Sequence, residues 1–286
     1  MSEYFSESSS ACKACPTGSS SGAAGAYTCT CANDYYVSGY GDGLICRYKP
    51  IELCPAASTA LKADHQLFPN PSGSYAPGTV VGSTLSDIGT SLSPYPITAG
   101  SGVTYKGRSL QFDGSINAWV SFGTGVALGG TDFSISVWGM YTEFNPWSRL
   151  FDFQPYQGFN AGILVCIQQN TPQLLVLLFN SGHILPSGAA WTLNQFSHVV
   201  ISCTRPNTCK IYFNGVLIYT LSRTITSQTF SYIAGLGKAS NNYPNLKGQV
   251  ADFRLFSRAL TQGIFHILNM AFLLLSTWYI ILLFLL

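Results

Sequence analysis

Asp132-Phe133-Ser134-Ile135-Ser136-Val137-Trp138 is the stretch that decides the fold class. Phe133, Ile135 and Val137 alternate with Ser134, Ser136 and Trp138. That period of two predicts a β-strand with one buried face and one face at least partly polar. Runs of the same kind recur on both sides, separated by turn residues. They are Ser109–Phe112, Ala118–Phe122, Arg149–Phe153, Gly162–Ile167, Gln173–Phe179, His198–Ser202, Lys210–Phe213, Val216–Tyr219 and Gln249–Phe256. About ten short strands joined by turns predict a mainly β protein built as an antiparallel sandwich. Asn214-Gly215, between two such runs, predicts a tight hairpin, because both central positions of a type I′ turn require positive φ.

Upstream of this region, residues 57 to 104 are rich in Pro, Ser, Thr and Gly, and Pro69, Pro71, Pro77, Pro94 and Pro96 break any helix. A mucin-like stalk is one reading. The apolar stretches His65-Gln-Leu-Phe and Thr79-Val-Val-Gly favour another, in which the segment is the irregular opening of the sandwich and carries short edge strands. The domain expectation is therefore 1–56, 57–262 and 263–286.

Composition narrows the function. Only 9% of the 286 residues are Asp, Glu, Lys or Arg, and the net charge is +2; an ordinary soluble domain carries about a quarter. Fourteen scattered Lys and Arg do not supply the clustered cations that nucleic-acid binding needs. A surface so poor in charge is solvated by uncharged polar residues, coated with glycan, or covered by neighbouring subunits.

Cysteine usage places the chain in an oxidising compartment. Cys12, Cys15, Cys29, Cys31, Cys46 and Cys54 crowd the N-terminal segment, which is too small and too rich in Gly and Ser to hold itself with a core. Zinc is the other reading of Cys12-x-x-Cys15, but Cys29-x-Cys31 is a poor chelating spacing and no histidine lies nearby. Cys203 and Cys209 flank Thr-Arg-Pro-Asn-Thr between two strands, which predicts a disulfide clamping that hairpin and leaves Cys166 as a buried free thiol. Met1 opens an acidic, polar stretch without the pattern of a signal peptide, so numbering from an internal start or a truncated gene model is expected.

The C-terminal run Ile264–Leu286 is long and apolar enough to span a bilayer as a helix. A single-span anchor is the first expectation for it. Packing against protein in an assembly and absence from the mature chain are the alternatives, and a lipid-anchor signal would cut into the closing strand.

The chain carries two family resemblances. Cys12-x-x-Cys15-Pro16-x-Gly18 followed by Cys29-x-Cys31-x-x-x-Tyr35 and Cys46 resembles the EGF-like and growth-factor-receptor-like repeats of protist surface proteins. That resemblance implies Cys31–Cys46 and Cys15–Cys29 pairings, with Cys12 left for Cys54 or an upstream partner. Leu110-Gln-Phe-Asp-Gly-Ser115, Asp132–Trp138, Phe196-Ser-His-Val-Val200, Ile211-Tyr-Phe-Asn-Gly-Val216 and Gly248–Thr261 resemble successive strand signatures of laminin-G-like, concanavalin A-like jelly rolls. The match runs in order from about 105 to 262. It implies a jelly-roll sandwich whose closing strand leads into a short helical turn at Leu260–Leu268.

Such folds house glucanases, whose retaining mechanism needs two carboxylates about 5 Å apart. Here Asp113, Asp132, Glu143, Asp152 and Asp252 stand singly, so no enzyme is expected, and Asp113 is read as the start of an Asx turn. Calcium, which some laminin-G-like domains bind, would draw on Asp113, Asn117, Asp132 and Asn145. His65, His183, His198 and His266 are too scattered for a metal site. Among the aromatics, Trp119 joins the inventory a lectin would need, Trp138 and Trp191 are read as structural, and Trp147 and Tyr156 are the contact candidates in probable loops. Asn-x-Ser/Thr is absent, and Asn207-Thr-Cys209 is only the rare cysteine variant. O-linked glycans are expected on Ser91, Ser93 and Thr98, and on Pro94 and Pro96 if these are hydroxylated.

The expectation is a non-catalytic extracellular or cell-surface structural or adhesion glycoprotein. Its partners are other copies of itself or other extracellular proteins, as in a filament such as a flagellar mastigoneme. The alternative is a lectin-like surface protein that binds glycans.

Overall fold

The computed structural model describes residues 63–67, 76–82, 85–91, 93–107, 109–156, 161–179, 181–239 and 243–261, together with the backbone of six short strands nearer the N-terminus. The chain divides into two compact units, Met1–Leu61 with Met270–Leu286, and Lys62–Asn269. In the first unit, β1 (Glu3–Ser6) pairs with β2 (Ala11–Ala14), β3 (Ser19–Ser20) with β4 (Thr30–Cys31), and β5 (Tyr35–Val37) with β6 (Cys46–Tyr48), all antiparallel. The disulfides expected among Cys12, Cys15, Cys29, Cys31, Cys46 and Cys54 lie outside the described residues, as does the apolar helix expected at 263–286. Among the described residues no helix is long and apolar enough to cross a membrane.

The second unit is a sandwich of antiparallel sheets. Its strands are β7 (His65–Leu67), β8 (Thr98–Ala99), β9 (Val103–Lys106), β10 (Ser109–Asp113), β11 (Val120–Ser121), β12 (Val126–Leu128), β13 (Phe133–Tyr141) and β14 (Arg149–Gln154). There follow β15 (Ile163–Ile167), β16 (Leu174–Leu178), β17 (Ser197–Thr204), β18 (Thr208–Phe213), β19 (Val216–Ser222), β20 (Gln228–Phe230), β21 (Ile233–Leu236) and β22 (Lys247–Phe256). One sheet runs β19-β18-β17-β13-β22-β10-β9, with β7 also paired to β22; the other runs β16-β15-β14-β21-β11-β8. Between them lies a core rich in phenylalanine. Phe122 stacks on Phe253 at 5.0 Å, and Phe153 meets both edge-on at 5.8 and 6.1 Å, the offset and T-shaped geometries that aromatic quadrupoles favour.

The Pro-rich segment is tied into this sandwich. His65–Leu67 adds to β22, and Val80 bridges to Thr104. Asp87 gathers the segment together: its carboxylate accepts from the backbone N–H groups of Gln66 (2.9 Å), Gly89 (3.0 Å) and Tyr95 (3.1 Å), and it meets His65 Nδ1 at 2.6 Å. Burial pushes the Asp87 carboxyl up, but these hydrogen bonds outweigh it and hold it below its ordinary value.

On β13 the second face is partly polar, as expected, and it is also buried. Its outward residues Ser134, Ser136 and Trp138 are as buried as the core-facing set, so neither face is left to water. Part of the cause is the chain beyond β22, which folds back over Ser134 and Ser202. Ser134 Oγ donates to the Arg258 carbonyl at 2.9 Å, Ser202 Oγ donates to the Leu260 carbonyl at 3.0 Å, and the Leu260 N–H lies 3.0 Å from each hydroxyl. Small hydroxylated residues therefore serve as buried anchors for the returning backbone, whose polar groups need partners once out of water.

The local signals at turns are realised. Asn214 and Gly215 adopt φ of 50° and 82° between β18 and β19. Asp113 Oδ1 accepts from the Ser115 N–H at 2.8 Å, an Asx turn. Cys203 and Cys209 are register partners on β17 and β18 and are joined by a disulfide, and Cys166 is a buried free thiol.

Candidate functional site

The six-stranded sheet has a core face and an opposite face, and their chemistry differs. On β15, Ile163, Val165 and Ile167 join the main core, whereas Leu164 and Cys166 belong to a separate cluster with Leu175 and Leu177. Cross-strand partners share a face. The register therefore lays out one row across six strands on that opposite face: Thr98, Ser121, Gly235, Asp152, Leu164 and Leu177. The row passes from hydroxyl groups at the β8 edge, through a charge on the central strand, to leucine at the β16 edge.

At the polar end a cleft of about 250 Å³ opens along β8, β11 and β21. Thr98, Trp119, Ser121, Tyr232, Ile233 and Lys238 line it, with Gly123 and Thr124. The positions 119, 121 and 123 follow the strand period and so point the same way. Gly235, the partner of Ser121, allows β21 its close approach to β11, since a Cβ there would come within 2.1 Å of the Val120 carbonyl oxygen. Tyr232 is 46% exposed. The Lys238 ammonium lies 5.5 Å from the centre of the Trp119 ring, within cation–π range. Among the described residues this lining holds one charge, that of Lys238, and no carboxylate. The chemistry offered is hydroxyl groups, an aromatic ring and a cation around an open, shallow trough.

Beside it, the charged centre of the face is closed. Asp152 is paired with Arg149 at 3.4 Å and accepts from Gln154 Nε2 at 2.8 Å, while Gln154 Oε1 accepts from the Gly162 N–H at 3.0 Å. Arg149, Asp152 and Gln154 are all buried. Burial raises the neighbouring Cys166 thiol to about 11, and the Arg149 guanidinium opposes the shift.

Trp147 and Tyr156, the contact residues read from sequence, behave differently from each other. Tyr156 is 58% exposed. Trp147 is half-buried, with positive φ, and packs between His183 (5.5 Å) and Tyr243 (6.1 Å) against the small leucine cluster. Neither lines the cleft. Thr98 does, whereas Ser93, Pro94 and Pro96 are exposed and Ser91 is half-buried. Trp138 and Trp191 are buried, Trp191 against Tyr141 and Phe213.

Every carboxylate from Asp64 onward has a partner within the protein. Asp64 accepts from the Ser257 N–H, Asp132 from the Arg205 N–H at 2.8 Å, Glu143 pairs with Lys247 at 2.6 Å, and Asp252 accepts from Gln66 and Arg254 at 2.8 and 2.7 Å. Among the described residues no group of three or more His, Cys, Asp or Glu is placed to hold a metal ion. A second cleft of about 200 Å³ is lined by Asp64, His65, Tyr95 and Ser257, with His65 stacked on Tyr95 at 3.8 Å. Its imidazole is already engaged by Asp87.

The family follows from the sandwich. A laminin-G family model, described as the Concanavalin A-like lectin/glucanases superfamily, matches residues 113–263. The chain belongs to this superfamily. No curated protein matches it. Several solved structures are similar to this one. The Trypanosoma rangeli sialidase in complex with the inhibitor DANA is 13% identical, with a TM-score of 0.54 over 72% of this chain and 32% of that one. Domain 4 of AbnA, an extracellular arabinanase from Geobacillus stearothermophilus, in complex with arabinotriose, is 15% identical, with a TM-score of 0.53 over 73% of this chain and 98% of that one. The ligand binding domain of botulinum neurotoxin serotype D in complex with N-acetylneuraminic acid is 16% identical, with a TM-score of 0.52 over 73% of this chain and 51% of that one. At such identities the likeness is one of fold. The chain spans about a third of the sialidase's length.

The sequence does not single out Tyr232 or Lys238. Tyr232 lies between the short strands β20 and β21 and Lys238 just after β21, and their place beside Trp119 is set only by the pairing of β11 with β21.

Proposed function

We propose that the sandwich is a non-catalytic carbohydrate-binding module of an extracellular protein. One observation carries the reading: the open trough on β8, β11 and β21 presents Tyr232, Ser121, Thr98 and Lys238 without a carboxylate. Aromatic faces pack on the apolar faces of sugar rings, and hydroxyl and ammonium groups meet sugar hydroxyls, which is the mixture such sites use. In most glycosidase families cleavage needs an acid and a second carboxylate at the bond, and the carboxylates of this unit are engaged elsewhere. Two of the structural neighbours, domain 4 of AbnA and the neurotoxin domain, hold a sugar in the same fold, which supports the reading. In this reading residues 1–56 form an EGF-like, disulfide-linked module, and O-linked glycans sit on Ser91 and Ser93.

The test is glycan-array binding by the full chain, followed by titration of the best ligand. Tyr232→Ala should weaken binding by about tenfold, the size of a lost aromatic anchor. Absence of binding to any glycan overturns the proposal.

A structural role in an assembly has its own support. Strand β19, Val216-Leu-Ile-Tyr-Thr-Leu-Ser222, lies at the edge of the eight-stranded sheet, carries no charge, and exposes Val216 (60%), Leu217 (40%) and Tyr219 (39%). Such an edge invites pairing with another strand. Concentration-dependent association that Leu217→Lys abolishes is the expected result for that role.

A further inference from the structure

We propose that the trough on β8, β11 and β21 selects sugars that carry an anionic group, a carboxylate or a sulfate, and that Lys238 is the residue that reads it. The proposal rests on the carbohydrate-binding reading and adds the chemical class of the ligand. Lys238 is exposed, and its ammonium is held over the Trp119 ring at 5.5 Å. That position has two consequences. The indole face is occupied by the cation, so stacking on a sugar ring falls to Tyr232, which lines the same trough and is 46% exposed. The flexible lysine stem is also steadied before any ligand arrives, which lowers the entropy lost on binding.

Among the described residues, no charge in the trough opposes that ammonium. The lining otherwise consists of neutral residues, with Thr98, Ser121 and Thr124 as hydroxyl donors. The nearest carboxylate in the register row, Asp152, is buried and neutralised by Arg149. Glu143 is held by Lys247, and Asp64 belongs to the other cleft. A neutral sugar would meet a cation it cannot neutralise, whereas a carboxylate or sulfate gains a charge-assisted hydrogen bond.

The experiment uses the full chain and two matched pairs of probes: sialyllactose against lactose, and 6-sulfated N-acetyllactosamine against N-acetyllactosamine. At low salt at least one anionic probe should bind about tenfold more tightly than its neutral parent, the worth of one charge-assisted contact. Lys238→Ala should abolish that difference, with the anionic member losing far more affinity than its neutral parent. Lys238→Arg should keep it, and added salt should reduce it. The member of the two pairs that responds distinguishes carboxylate from sulfate. Equal binding of anionic and neutral members overturns the anionic preference and leaves the carbohydrate reading standing. A preference that survives Lys238→Ala assigns the anion to another residue and also overturns it. Failure of all four probes, together with an empty glycan array, overturns both readings.

Discussion

Trp138 and His198 sit directly opposite each other on β13 and β17, with their rings stacked 4.8 Å apart at 11°. His198 is fully buried, and its Nε2 lies 2.8 Å from Ser136 Oγ. Burial, aided by the positive charge of Arg254, lowers the imidazole to about 3. The ring is therefore neutral in the folded protein at neutral pH, and it acts as a flat, hydrogen-bonded packing piece.

That histidine makes stability depend on pH in a defined direction. In the unfolded chain the imidazole binds a proton near its ordinary value of about 6.5, while in the folded protein it resists until about 3. Between these values the unfolded state holds more protons, so stability falls as pH drops, by up to about 1.4 kcal/mol per pH unit from this group. Above that window His198 contributes no slope. Denaturant unfolding of the wild type and of His198→Gln from pH 7 to pH 4 should show the slope reduced by nearly one proton in the variant. An unchanged slope would mean that His198 titrates normally.

Asp87 predicts a second acid-sensitive step at lower pH. Its carboxyl is held below its ordinary value, so the stability it contributes is complete above about 4 and is lost as pH falls through the lowered value. Asp87→Ala strands three backbone N–H groups and frees His65, and should cost about 2–3 kcal/mol. Asp87→Asn, which still accepts hydrogen bonds, should cost less. The measurement is the denaturation midpoint at pH 7, and equal losses for the two variants would contradict the hydrogen-bond account.

The Cys203–Cys209 bond closes a short loop across the β17–β18 hairpin, with six residues of sequence separation. Constraint of so short a loop stabilises by about 2 kcal/mol. The paired change Cys203→Ala and Cys209→Ala should lower stability by about that amount without unfolding the sandwich. In the intact protein, Cys166 should react with a thiol reagent only after denaturation, because it is buried and its thiol is raised to about 11.

Much of the fold was legible because local chemistry and tertiary structure agree. The alternation at Phe133–Val137, the Asn214-Gly215 turn and the opposed Cys203 and Cys209 each encode their own geometry. Strands β9, β12, β20 and β21 were not legible. They are three or four residues long, too short to show a period, so their pairing comes from neighbours and not from propensity. The burial of the serines of β13 was not legible, because the sequence cannot show that Arg258–Leu260 returns to meet Ser134. The trough was hidden for a related reason: Thr98, Trp119 and Lys238 lie far apart in the chain and meet only through the β8–β11–β21 register.

The Arg149–Asp152 pair gives the last prediction. Arg149 is 1% exposed and Asp152 0%, on the face of β14 turned away from the main core. Two charges removed from water lose much hydration, and their attraction returns little more than that loss. The pair is therefore a poor source of net stability but a costly one to break. Asp152→Ala leaves a buried guanidinium without its carboxylate and should destabilise by about 3 kcal/mol or more. The double change Arg149→Met with Asp152→Leu replaces both charges with apolar groups beside Leu164 and Cys166, and should be markedly more stable than the single variant. Chemical denaturation of the wild type, Arg149→Met, Asp152→Leu and the double variant forms a complete cycle. A double variant as unstable as the sum of the two singles would show that the two residues act independently.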